Sequence, residues 1–201
     1  MSQAFLFSAA ELGISGWPFG KLRPSSFDLI MADVPWSFEL WSMRGEKKSA
    51  QAQYKVMSLE DIMGLPVGEL AAGDCLLWLW TTAPMLAQGL VVMEAWGFRF
   101  VTMGGWHKKT EHDKSAFGTG YVLRSALEPF LIGKRGDPRT KRNIRNVVVG
   151  KVRGHSRKPD EAFAAAEALM PEARRLELFS RQNRPGWSAW GDEAGKFDEV
   201  K

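Results

Sequence analysis

Residues 27–36 read FDLIMADVPW: an apolar run from Phe27 to Ala32 broken only by Asp28, then Asp33, then Val34-Pro35-Trp36. A near-continuous apolar run of this length, stopped at Asp33, predicts a strand buried on both faces. The residues after it carry chemistry. A carboxylate followed by an exposed backbone carbonyl can accept both hydrogens of a planar exocyclic amine. Holding those hydrogens draws the nitrogen toward tetrahedral geometry and frees its lone pair, while the neighbouring indole can stack on the ring that bears the amine. The turn therefore suits activation of an adenine or cytosine amine. Taken alone, the same four residues describe a strand-ending turn with a core tryptophan equally well.

Working outward, Cys75–Trp80, Phe98–Trp106, Pro129–Gly133, Val147–Val152 and Arg175–Arg181 are further apolar runs that predict strands. Between them lie helical segments. Ser58 caps a short one with acids in its first turn, and Pro84 opens a longer one through Trp96 that Gly97 closes. Pro159 at a first helical position, with Asp160 and Glu161, starts another to about Met170. Strands alternating with helices predict an α/β fold, a mostly parallel sheet covered by helices on both faces. In such sheets ligands sit at the carboxyl ends of the strands, where Asp33 and Arg181 both fall. The polar stretch 37–57 predicts a loop over the site. No repeat or second-domain boundary is visible, so the 201 residues are expected to form a single domain.

Composition is ordinary for a globular protein, at 45% hydrophobic and 25% charged. One cysteine, Cys75, excludes a disulfide framework, and its apolar neighbours predict a buried small hydrophobe. The first twenty residues lack the basic n-region of a secretion signal, and no apolar run is long enough for a membrane span, so a soluble, cytoplasmic protein is expected. His107, His112 and His155 have no ligand spacing with Cys or acids, so no metal site is expected. Charge is distributed unevenly. Lys134 to Lys158 hold ten Lys or Arg against one acid, a local +9, which leaves −5 on the rest of a chain whose net charge is +4. A basic stripe on an acidic body, with nine tryptophans available for stacking, points to nucleic acid.

The order of segments resembles the MT-A family of adenine-N6 methyltransferases, bacterial and phage relatives of the catalytic subunit of the eukaryotic mRNA adenosine methyltransferase. Asp33-Val34-Pro35-Trp36 is similar to the family's Asp-Pro-Pro-Trp. The other matching blocks are 54–86, 92–100, FGTGYVLRSALEPFLIGKRG (117–136), HSRKPDEAF (155–163) and LELFSRQNRPGWSAWGDE (176–193). The resemblance implies a Rossmann-like methyltransferase fold in permuted order, catalytic motif before cofactor segment, that uses S-adenosylmethionine. It assigns amine binding to Asp33 and the Val34 carbonyl, the turn to Pro35 and base stacking to Trp36. Tyr54, Gly118, Gly120, Tyr121 and Glu128 match the substrate side. Lys158 matches the lysine that meets the methionine carboxylate, and Glu177, Arg181, Asn183, Asp192 and Glu193 the rest of the cofactor site. Three departures stand out: Val34 replaces the first proline, Asp192 replaces an asparagine, so an acceptor stands where a donor is usual, and an acid found far upstream of the motif in the eukaryotic enzyme has no clear counterpart.

What the resemblance implies is methyl transfer to the N6 amine of adenine, in DNA rather than RNA because the likeness is to the small bacterial and phage members. An RNA methyltransferase and a nucleic-acid-binding pseudoenzyme remain the alternatives. Readout of the target is expected from loops 37–57 and 104–124 and from Arg139, Lys141 and Arg142 in the basic stripe, or from a partner chain, a second copy included. Lys47, Lys48, Lys108 and Lys109 are the other candidates for gripping phosphate.

Overall fold

The protein is described here by a computed structural model covering residues 16–37, 56–120, 122–154 and 157–198. Tyr54, Tyr121, His155 and nearly all of the 37–57 loop lie outside the described residues. Strand β1 (Phe27–Ala32) has the bounds its apolar run predicts. It pairs in parallel with β2 (Ala71–Trp80) on one side and with β6 (Arg175–Leu178) on the other. Beyond β6, β7 (Trp187–Trp190) continues the parallel arrangement. Beyond β2, β4 (Leu127–Arg135) is antiparallel to both β2 and β3 (Arg99–Lys109), and β5 (Val147–Lys151) lies parallel to β3 at the edge. The order is β5-β3-β4-β2-β1-β6-β7. Among the described strands β4 alone runs against the rest, so the sheet is mixed but mostly parallel.

Alternation along the buried strands feeds two cores. Ile30, Ala32, Leu77, Leu79, Leu131 and Leu178 face α1 (Leu59–Gly64), α2 (Val67–Leu70) and α3 (Leu86–Ala95), burying Ile62, Leu70, Val92 and Met93. Leu29, Met31, Trp78, Trp80, Phe130 and Trp106 face α4 (Asp160–Leu169), which buries Ala162, Phe163 and Ala166. At roughly 1.5–3 kcal/mol for each large side chain, these two layers supply the main drive to fold. Cys75 is fully buried in the first core, and burial pushes its thiol up to about 12.

Several boundaries differ from the sequence reading. Pro84 sits in a 3₁₀ turn, Ala83–Met85, and the α-helix begins at Leu86. Gly97, at φ +78°, ends this helical segment as expected. Pro159 is the N-cap of α4 rather than its first residue. The last predicted strand stops at Leu178 because Phe179 takes a left-handed φ of +61°.

Candidate active site

The chain leaves β1 toward β2 on one side of the sheet, and leaves β6 toward β7 on the other. The crevice between the carboxyl ends of β1 and β6 is therefore a topological switch point, where open α/β sheets bind ligands. Asp33 follows β1, and its N–H donates to the carbonyl of Leu178 at the end of β6, 3.4 Å away. The left-handed Phe179 then turns the chain so that Arg181 and Gln182 cross the opening. The result is an open cleft. Its lining includes Asp33, Lys158, Glu177, Arg181, Arg184 and Phe179.

At the floor lies a chain of charges. Lys158 Nζ is 2.6 Å from Asp33 Oδ2 and 3.0 Å from Glu128 Oε1, and Lys108 Nζ is 2.5 Å from Glu128 Oε2. The Lys158 ammonium also lies over the Trp80 ring, 5.5 Å from its centroid. Burial alone would lower the Lys158 pKa, but Asp33 and Glu128 outweigh it and hold the ammonium well above its ordinary value. Burial raises Asp33 against the opposing pull of Lys158. Burial also acts upward on Glu128, yet Lys158 and Lys108 together keep it below its usual range. Two lysines and two carboxylates leave the group neutral overall, which is what allows four charges to share a nearly closed floor.

The turn 33–36 is well fixed. The Val34 carbonyl accepts from the Trp36 N–H at 2.9 Å, which leaves one lone pair for a second donor. The Trp36 ring is 5% exposed and packs in the first core, its indole N–H donating to the Trp80 carbonyl at 3.3 Å. Of the four motif side chains, only Asp33 opens to the cleft, with 32% of its side chain exposed.

Opposite the charge chain, Glu177 accepts from the Ser180 hydroxyl at 2.9 Å, and burial pushes its carboxyl up to about 7. Asp160, at the start of α4, holds Arg153 at 2.5 Å and Arg184 at 2.6 Å, and Arg184 stacks on the Phe163 ring at 3.7 Å. Arg184 Nε is buried with no hydrogen-bond acceptor. Arg157 donates to Gln182, and Arg157 and Arg181 both lie over the Phe197 ring.

The fold thus brings Asp33, Lys158, Glu177 and Arg181 into one cleft, with Glu128 behind Lys158. Glu193 reaches its edge as the partner of Arg181 at 2.8 Å and of Lys196. Asn183 is instead held by Asp198 through two bonds of 2.7 Å, and Asp192 is exposed outside the lining. Gly118 and Gly120 sit in the turn between β3 and β4. A side chain at Gly120 would strike the Leu123 carbonyl, 1.9 Å from its Cβ position. Arg139, Lys141 and Arg142 are not brought to the cleft. They occupy the turn between β4 and β5, and Lys141 N–H donates to the Leu169 carbonyl at the far end of α4. That places them at the opposite end of the sheet, roughly 30 Å away for a nine-residue strand. Arg157, Arg184 and Phe197 were not singled out as site residues by the sequence, and Lys108 was named only as a candidate for gripping phosphate, in a segment read as loop rather than as the end of β3. Among the described residues no group of His, Cys, Asp or Glu could hold a metal, and no helix is long and apolar enough to cross a membrane.

Comparison with known proteins bears on this site. The chain is 33% identical to the N(6)-adenosine-methyltransferase MT-A70-like of Arabidopsis thaliana, over 92% of this chain but 27% of that protein. It is 29% identical to the Type II methyltransferase M.MunI of Mycoplasma sp, over 87% of this chain and 81% of that protein. It is 28% identical to the N(6)-adenine-specific methyltransferase METTL4 of Homo sapiens, over 87% of this chain and 39% of that protein. The chain thus spans about a quarter of the plant relative and most of the bacterial one. Residues 27–193, from the first residue of β1 to the acid that pairs with Arg181, match the MT-A70 family, and this chain belongs to it.

Proposed function

We propose that this protein transfers a methyl group from S-adenosylmethionine to the N6 amine of adenine in nucleic acid, with DNA favoured over RNA. The observation that carries the reading is Asp33, about one-third exposed at a switch-point cleft and held at 2.6 Å by a buried lysine. One carboxylate oxygen is tied to Lys158, and the other oxygen, with the free lone pair of the Val34 carbonyl, remains to accept an amine.

The cleft residues fit the cofactor. Arg184, whose Nε makes no hydrogen bond and lies 4.0 Å from Glu177, and the Arg181 and Arg157 guanidiniums suit an amino-acid carboxylate. Lys158 was expected in that role; with two carboxylates already on its ammonium, it has one N–H left to give. Glu177 is an acceptor for sugar hydroxyls, and Phe179 offers a ring face. Bound there, S-adenosylmethionine supplies a methyl already activated by the sulfonium charge, so no metal is called for. The protein's share is positioning and hydrogen bonds that strengthen as charge grows on the amine. Asp33 takes up the amine proton, or passes it to water, once attack has made it acidic.

DNA is favoured because the chain covers most of a bacterial Type II methyltransferase but only about a quarter of the plant adenosine methyltransferase-like protein. An adenine within a duplex must be flipped out, at a cost of about a few kcal/mol. The deciding experiment is transfer of tritiated methyl to matched duplex DNA, single-stranded DNA and RNA oligomers, with cofactor binding followed separately by calorimetry. Label in duplex or single-stranded DNA supports the reading. Label in RNA alone replaces the substrate, and cofactor binding with no transfer to any of the three leaves a pseudoenzyme.

A further inference from the structure

Lys108 has no place in the reaction just described, yet it closes the charge chain beneath it. It lies on β3 two residues past Trp106, whose register partner across β3–β4 is Glu128. Its ammonium lies 4.9 Å from the Trp106 ring centroid, and that indole is fixed by donating to the Gly150 carbonyl at 2.9 Å. The Lys108 main chain is held by a 2.9 Å bond to the Ala126 carbonyl. From this rigid seat it takes one oxygen of Glu128, whose other oxygen faces Lys158. Resting on the proposed methyl transfer, we infer that Lys108 is a positioning residue. It pins Glu128 so that Lys158 divides its ammonium between Glu128 and Asp33 and holds Asp33 ready, as an anion, for the target amine.

The argument is one of charge balance and geometry. The groups facing Asp33 are Lys158 from the segment before α4, Glu128 from β4, Arg181 after β6 and Glu177 within β6. With Lys108 the floor is neutral. Without it, Lys158 alone must serve both Glu128 and Asp33 and the floor carries a net negative charge, from which two consequences follow. Glu128 draws Lys158 away from Asp33, and the excess negative charge drives Asp33 toward its protonated form. A protonated Asp33 is a poorer acceptor for the amine, so turnover falls while the cofactor-side contacts of Arg181, Arg184 and Glu177 stay in place. The 26% exposure of the Lys108 side chain leaves a rival reading, direct contact with substrate phosphate.

Lys108→Met keeps the length of the side chain and removes its charge. The expected result is a fall in kcat of about tenfold or more, with KM for nucleic acid and calorimetric affinity for S-adenosylmethionine within about twofold of wild type. The acid limb of the kcat–pH profile should move upward by about one pH unit, and Lys108→Arg should restore most of the rate. In a Glu128→Gln background, Lys108→Met should cost nothing further, because its target is gone. Carboxyl carbon shifts of Asp33 followed by NMR across pH supply a readout that needs no turnover. Their midpoint should rise in Lys108→Met even if no methyl acceptor is found, which separates this inference from the proposed activity. A raised KM with unchanged kcat assigns Lys108 to phosphate and overturns the inference. So does an Asp33 midpoint that does not move, or a loss that is additive with Glu128→Gln. Should Lys108→Met not fold, Lys108→Gln takes the same tests.

Discussion

The indole N–H of Trp36 donates to the main-chain carbonyl of Trp80, 3.3 Å away, tying the turn after β1 to the last residue of β2. With 5% of its surface exposed, the ring is part of the core beneath the site. Trp36→Ala should therefore cost about 3–5 kcal/mol of stability, the range for emptying a large aromatic site. For a chain of this size that lowers the melting temperature by roughly 10 °C. Trp36→Phe should recover much of the loss. A variant that melts like wild type but shows a raised KM for nucleic acid would return the ring to base stacking.

Asp33→Asn removes a charge and leaves the shape. Lys158 keeps Glu128 as a partner, so the melting temperature should move by a few degrees at most, and cofactor affinity by little. Methyl transfer should fall by well over tenfold, more than about 1.4 kcal/mol in barrier terms. Tritiated-methyl incorporation beside calorimetric titration reads both quantities. Retention of a tenth of the wild-type rate is incompatible with Asp33 as the amine acceptor.

Glu177 supplies a pH signature. Its carboxyl is raised from the ordinary 4.5 to about 7 by burial, so the folded chain binds its proton more tightly than the unfolded one. Stability from this group is complete below about pH 4.5 and drains away as pH rises through 7, by at most about 3 kcal/mol. Glu177→Gln carries no such titration. Melting temperatures of wild type and variant should converge near pH 5 and separate toward pH 8, the Gln form being the more stable there. Parallel curves across that range would show that the carboxyl does not titrate in it.

The basic turn at residues 136–146 predicts a dependence on substrate length. Arg139, Lys141 and Arg142 stand at the end of the sheet opposite Asp33, roughly 30 Å away, or about nine base pairs at 3.4 Å each. Replacing all three by Ala should leave methylation of an eight-base-pair duplex unchanged. On a thirty-base-pair duplex it should flatten the log–log salt slope of binding by about two to three units. An unchanged slope on the long duplex would mean the turn touches no phosphate.

How far the sequence foretold this arrangement varies with the kind of force involved. β1 was legible to the residue because both its faces are buried, so its apolar run and its length coincide. β2 was read short, from Cys75, since Gly73 and Asp74 are exposed and break the apolar run before it reaches Ala71. β7 was missed: four residues, WSAW, at the edge of the sheet offer too little pattern. The reversed direction of β4 left no trace, because an apolar run reads the same either way. Asp33, Lys158 and Arg181 were found through the family's motif. Lys108 was read only as a phosphate contact, because its pairing with Glu128 exists only where β3 and β4 lie side by side. The basic stripe, contiguous in sequence, is divided in space by β5, which carries the chain from one end of the sheet to the other.

The reversal of β4 has a practical side. Since that strand runs against its neighbours, the chain comes up to the cleft at Glu128 and surfaces at the far end at Arg135. The turn that follows is consequently the part of the molecule by which it can be held. Immobilised on a bead or sensor surface through residues 139–142, the protein would present its cleft outward to the solution. Attachment through the turn between β3 and β4 would press the opening against the support.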